Sequence, residues 1–210
     1  MTKKDFREFC LQKSSRASKQ SRLSHNARVQ QRLSSILKHY KNPNILSYIP
    51  LKNEFKIEKF MKKTRGVYSY YVPFMEDVSF KSVEYRLPLA KKKFQIQEPP
   101  NSFKKVPKID IAIVPVVGVD GEYARVGFGR GMYDRYFAKQ KNRPIIIFIQ
   151  LNECFTKVSI SDPYDIKADI IITPKRFQII RKKYVNNNNS WRKLCRSCGG
   201  SRVFNCQKIR

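Results

Sequence analysis

Acidic side chains are scarce in this 210-residue chain: 16 Asp and Glu stand against 44 Lys and Arg, a formal net charge of +28. A surface so short of acid calls for an anionic partner, whether nucleic acid, an acidic membrane surface or a strongly anionic small molecule. Long apolar runs are also missing. The longest, IAIVPVVGV and IIIFI, fall far below the roughly 18 residues that suggest a membrane span, so no membrane segment is expected. The amino terminus MTKKDFREFC turns at once into charged, helix-like sequence and lacks the apolar stretch of a secretory signal. A cytoplasmic location is expected. Five cysteines divide into Cys10 and Cys154 in the body and Cys195, Cys198 and Cys206 near the end. Without a secretion signal they predict no disulfide framework. No internal repeat is evident. What is present, 41% hydrophobic and 12% aromatic residues, suffices for a packed globule rather than a disordered polycation, and the length suits one principal domain.

Strand-like and helix-like stretches alternate. Residues 3–22 and 24–40 read as two helices forming a basic helical hairpin. The second presents Val29, Leu33, Ile36, Leu37 and Tyr40 on one face, with Ser21 or Ser24 as its N-cap. ILSYIP is a short buried strand, EFKIEKFMKK places Phe55, Phe60 and Met61 at helical spacing, and VYSYYVP is the next strand. VSFKSVEYRL and KFQIQ suit antiparallel or edge positions. IDIAIVPVVGVD, PIIIFIQ and ADIIITP are continuous apolar strands. The pattern predicts an α/β fold: a three-layer α/β/α sandwich with a mainly parallel sheet and an N-terminal helical hairpin, over residues 1–183. Residues 184–210, opening NNNNSWRKLC, lose any amphipathic period and read as a basic, disordered tail. Its three cysteines are one short of a structural zinc set unless His25, His39 or an external ligand completes it.

The stretch ARVGFGRGMYDRYFAKQ, residues 124–140, follows a buried strand and opens a helix. Its spacing, Gly127, Gly129, Gly131, is neither the dinucleotide fingerprint nor the Walker pattern. The mechanism those motifs share survives the mismatch. Glycines let a backbone approach phosphate and aim successive N–H groups at it, and a helix N-terminus adds positive potential. Arg125 and Arg130 add full charges. The alternative is a glycine turn with solvated arginines. Asp134, in the first turn of the helix, and Asp169, at the start of DIIIT, offer oxygen ligands for Mg²⁺ beside a phosphate site. Lys3 and Arg7, four apart on one helix face, suit a phosphate clamp or a solvated charged face. Glu54 follows a buried strand, where it serves either a ligand or a helix N-terminus. Phe94 in KFQIQEP suits either stacking on a flat ligand or capping the core.

Taken together these residues resemble the 5-formyltetrahydrofolate cyclo-ligase family, also called 5,10-methenyltetrahydrofolate synthetases, from about residue 3 to about residue 176. DIAIVPVVGVDGEYARVGFGRGMYDRYF is similar to the family's signature of a strand, Val-Pro, hydrophobic-Asp and Arg-x-Gly-x-Gly-x-Gly-x-Tyr-Asp-Arg. KKDFREFCLQK, YIPLKNE, FQIQEP and DPYDIKAD follow in the family's order. The resemblance implies a monomer that converts a reduced folate, 5-formyltetrahydrofolate, into 5,10-methenyltetrahydrofolate with ATP as co-substrate and Mg²⁺. It implies ATP contacts from Lys3, Lys4 and Arg7 and from the loop Arg125, Gly127, Phe128, Gly129, Arg130, Gly131, Met132 and Tyr133. Arg125 and Tyr133 take catalytic roles, Asp134 and Asp169 hold the metal, and Ile49, Glu54, Phe94 and Tyr133 contact the folate. The chain departs from the family at Arg130 and Met132, and where the family commonly carries His-Asp it has Tyr164-Asp165. A basic nucleic-acid- or ribosome-associated binding protein is the alternative, resting on the charge, the helical hairpin and the tail.

Overall fold

The central strands carry apolar side chains on both faces, which obliges the chain to cover the sheet twice. The computed structural model describes residues 1–91, 97–99, 105–175 and 177–180. Helices α1 (Lys3–Ser15) and α2 (Lys19–Leu37) precede β1 (Asn44–Leu46), α3 (Ile57–Lys63), β2 (Ser69–Met75) and β3 (Phe80–Glu84). A short pair, β4 (Ala90–Lys91) and β5 (Gln97–Glu98), leads to β6 (Ile111–Pro115), β7 (Gly118–Val119) and β8 (Arg125–Val126). The described chain closes with α4 (Met132–Ala138), β9 (Ile145–Ile149), β10 (Ile170–Ile172) and β11 (Phe177–Ile179).

Seven strands form one sheet in the order β11-β10-β9-β6-β1-β2-β3. The five inner strands are parallel, and the edges β11 and β3 run antiparallel to their neighbours. Successive residues alternate faces, so Ile111, Ile113, Ile147 and Ile172 pack with Leu33, Ile36 and Leu37 of α2 and with Phe60 and Met61 of α3. Ala112, Val114, Ile146, Phe148 and Ile171 pack on the other face with Tyr136 and Phe137 of α4. Each fully buried aliphatic or Phe side chain contributes about 1.5–3 kcal/mol. The expected sandwich, mainly parallel, is what the chain forms.

Several boundaries differ from the sequence reading. The first helix stops at Ser15 rather than near residue 22. Ser18 is extended and its side chain accepts from the Ser21 N–H, which makes Ser18 the cap of α2 instead of Ser21 or Ser24. The strand IDIAIVPVVGVD divides at Pro115, and β7 leaves the main sheet to pair antiparallel with β8. Cys10 and Cys154, 144 residues apart, form a disulfide with an S–S distance of 2.01 Å. The sequence predicts no disulfide framework; the pair arises because α1 packs Phe6 and Cys10 against Val126 and Cys154 in a small core of its own. No helix among the described residues is long and apolar enough to cross a membrane. The tail, residues 184–210, lies outside the described residues.

Topology also locates the site. From β1 the chain crosses through α3 to β2 on one side, and from β6 it crosses through α4 to β9 on the other. Crossovers that diverge in this way leave a crevice beyond the carboxyl ends of the two strands between them, where open α/β sheets bind ligands.

Candidate active site

The loop between β8 and α4 needs its glycines for two separate reasons. Gly129 has φ +93°, a backbone region that side-chain-bearing residues rarely adopt. At Gly127 a Cβ would stand 2.4 Å from the Arg125 guanidinium, so only glycine lets that cation fold back across the loop. Arg7, on α1, donates from Nε to the Gly127 carbonyl at 2.7 Å and fastens the first helix to the loop. Helix α4 has only seven residues, so side-chain cations, rather than a helix dipole, supply most of the loop's positive potential.

Arg125 is the central residue. Its side chain is buried and donates from Nε to the Pro115 carbonyl at 3.1 Å. The guanidinium carbon lies 4.7 Å from the centroid of the Tyr133 ring, within cation–π range. Burial pulls the Arg125 pKa down from its ordinary value, opposed by Tyr133, Asp134, Glu54 and Asp165; arginine nonetheless stays protonated. Burial also raises the Tyr133 phenol, against the pull of Arg125, so Tyr133 is a neutral hydroxyl at neutral pH.

Two cavities adjoin here. An apolar one of about 140 Å³ sits at the crevice between β1 and β6, with Tyr48 and Ile49 beyond β1 and Pro115 ending β6. Glu54 lines it and accepts from the Leu51 N–H at 2.8 Å. Desolvation raises the Glu54 pKa, offset in part by that hydrogen bond and by Arg125 and Lys56. The second cavity, about 390 Å³, is lined by Lys3, Arg7, Gly127, Gly129, Asp134, Arg135, Ala138, Tyr164 and Asp165. Arg125, Arg130 and Gly131 line both cavities.

Lys3 reaches into the charged cavity and ion-pairs with Asp165 and, at 3.0 Å, with Asp162. Burial works against its ammonium, but the hydrogen bonds to Asp165 and Asp162 outweigh it and raise the Lys3 pKa. Asp134 accepts the Ile166 N–H at 3.1 Å, which ties α4 to the segment that carries Asp165.

The fold therefore brings Lys3, Arg7, Arg125, Gly127, Gly129, Arg130, Gly131 and Asp134 into one cavity. It places Ile49, Glu54, Phe128, Met132 and Tyr133 in the other. Tyr133, expected against both ligands, lines only the apolar side. Lys4 points outward from α1 and lines neither. Asp169 is buried at the start of β10, paired with Arg143 at 2.6 Å and accepting the Ile146 N–H at 2.8 Å, and it too lines neither cavity. Phe94 lies outside the described residues. Sequence reasoning missed Tyr48, Met75 and Phe80, which join the apolar wall from separate strand ends. Only Tyr48 carried a signal, since it opens the segment YIPLKNE.

Known proteins share this chain's family and fold. The model of the 5-formyltetrahydrofolate cyclo-ligase family matches residues 1–174. A 5-formyltetrahydrofolate cyclo-ligase of Mycoplasma pneumoniae is 36% identical over 66 residues, 31% of this chain and 39% of that protein. One from Mycoplasma genitalium is 24% identical over 132 residues, 61% of this chain and 71% of that protein. The chain thus spans well under two thirds of the first curated relative's length and more than two thirds of the second's. The NMR structure of Aquifex aeolicus 5,10-methenyltetrahydrofolate synthetase superposes with a TM-score of 0.75 at 25% identity, covering 86% of this chain and 94% of that one.

Proposed function

The chain belongs to the 5-formyltetrahydrofolate cyclo-ligase family, and on that premise we infer that it is an ATP-dependent ligase converting 5-formyltetrahydrofolate into 5,10-methenyltetrahydrofolate with release of ADP and phosphate. One observation carries the reading: Arg125, Arg130 and Gly131 form a common wall between a cationic cavity and an apolar one. A polyphosphate in the first and a flat ring system in the second then meet across Arg125. The alternative of a basic nucleic-acid-binding protein finds no support among the relatives.

A formamide carbonyl is a weak electrophile. Transfer of the γ-phosphoryl group to the formyl oxygen breaks the bond between the terminal phosphorus and the bridging oxygen, releases ADP and leaves an imidate-type phosphate. The folate's position-10 nitrogen attacks the formyl carbon and gives up its proton, and phosphate departs with the formyl oxygen and that proton. Such transfer asks the protein chiefly for alignment and for charge neutralisation. Lys3, Arg7 and the N–H groups of the glycine loop hold the phosphates, and Arg125 neutralises charge at the transferring group. Tyr133 keeps the guanidinium in place through its ring face. Glu54 accepts from the donor edge of the pterin, and Tyr48 and Ile49 pack against the ring. Removing one well-placed donor to the transition state costs on the order of 3 kcal/mol, roughly a hundredfold in rate.

Magnesium fits the charged cavity by donor chemistry. Mg²⁺ is commonly held by one or two carboxylates together with substrate phosphates, and the carboxylates lining this cavity are those of Asp134 and Asp165. When bound it would neutralise phosphate charge. Asp169, with its carboxylate committed to Arg143 and Ile146, is better suited to holding β10 beside β9.

Purified protein incubated with 5-formyltetrahydrofolate, ATP and Mg²⁺ is expected to develop the ultraviolet absorbance of the methenyl product. Gly129→Val, which forces a β-branched residue into the positive-φ position and against the Arg7 guanidinium 3.3 Å away, is expected to abolish that signal. A folded wild-type protein that forms no product overturns the reading.

A further inference from the structure

One residue of the charged cavity has no part in holding phosphate. Tyr164 is 73% exposed, an unusual exposure for a large ring in this molecule; it lines the cavity and, in the chain, falls between Asp162 and Asp165, the two carboxylates that hold Lys3. Among the described residues lining that cavity it is the only aromatic; the rest are cations, carboxylates, glycines and Ala138. Asp162, two residues before Tyr164, pairs with Lys3 at 3.0 Å, and Asp165, which follows it, pairs with Lys3 as well. The ring thereby shares the cavity with the cation that the nucleotide reading assigns to phosphate.

A nucleoside triphosphate has two chemically distinct ends. Lys3, Arg7, Arg125 and the glycine N–H groups account for the phosphates. The base is flat and weakly polar, and it gains most from an aromatic face in a partly open site. Resting on the reading of this cavity as the nucleotide site, we propose that Tyr164 is the platform on which the base of the nucleotide stacks. Selection of the nucleotide then rests on the face of the base at this position. The ring supplies the affinity.

Calorimetric titration with two probes, ADP and inorganic tripolyphosphate, tests the proposal. Stacking of one base is worth roughly tenfold or more in affinity. Tyr164→Ala is therefore expected to weaken ADP about tenfold and to leave tripolyphosphate unchanged, the latter also showing that the variant is folded. Tyr164→Phe, which keeps the ring and loses only the hydroxyl, is expected to retain most of the ADP affinity. Unchanged ADP affinity in Tyr164→Ala overturns the stacking role. An equal loss for ADP and tripolyphosphate also overturns it, because Tyr164 would then act only through Lys3. Wild-type protein that binds neither probe overturns the nucleotide reading itself and the platform with it, an outcome distinct from the other two.

Discussion

Glu54 shows how a single carboxylate bears on ligand and stability together. Desolvation raises its pKa in the fold above the ordinary 4.5, so between those two values the folded protein holds a proton that the unfolded chain has released. Stability contributed by Glu54 is then greatest below the unfolded value and declines as pH rises through the raised one. Glu54→Gln is expected to flatten that decline, read as thermal midpoints measured at a series of pH values from 4 upward. The same substitution is expected to weaken folate binding, because the amide keeps one acceptor oxygen, and no charge, where the carboxylate offers two. Asp134 separates structure from chemistry in another way. Asparagine keeps an oxygen able to accept the Ile166 N–H but not the negative charge that favours a hard cation. Asp134→Asn is expected to melt within a few degrees of wild type while demanding more Mg²⁺ for the same turnover with ATP. Magnesium dependence identical to wild type would remove Asp134 from the metal site.

At the level of elements, the hairpin of β7 and β8 depends on Asp120. Its carboxylate, 2% exposed as a residue, accepts the N–H groups of Glu122, Ala124, Ile160 and Ser161 at 2.9 to 3.1 Å. Four amides are satisfied at once, and the segment bearing Asp162, Tyr164 and Asp165 is anchored to the strand that delivers Arg125. Burial alone would push the Asp120 pKa up, but these hydrogen bonds outweigh it and hold the pKa below 3.8. The stability it contributes is present above the unfolded value and is lost as pH falls through the lowered one. Asp120→Ala strands buried donors and is expected to cost about 3 kcal/mol in chemical denaturation, with nucleotide affinity falling because both walls of the charged cavity loosen. Asp120 stands in the sequence signature as the residue after a hydrophobic position. Its task was not legible there, because its four partners lie up to 41 residues away.

For the whole molecule, the excess of 28 positive charges serves the proposed activity as a field that draws two anionic substrates toward a cationic cavity, an effect that salt screens. Deleting residues 185–210 is expected to leave turnover with saturating ATP and folate unchanged, since the family match ends at residue 174; a folded but inactive truncation would assign the tail a part in the site. The main sheet, its parallel character and the coverage of both its faces were legible in the sequence, because a strand buried on both sides must be apolar at consecutive positions, as in IIIFI and IAIVP. The glycine loop was legible as well, since its backbone demands and its charges are local. Tertiary structure alone decided which carboxylates stand beside the charged cavity. Asp165 and Asp169 are four residues apart and alike in type, yet one faces Lys3 and the other Arg143. It alone also joined Cys10 to Cys154 and set Phe80 beside Tyr133. Local propensity and periodicity are written in neighbouring residues, whereas contacts between distant segments depend on strand order and on where each crossover brings the chain back.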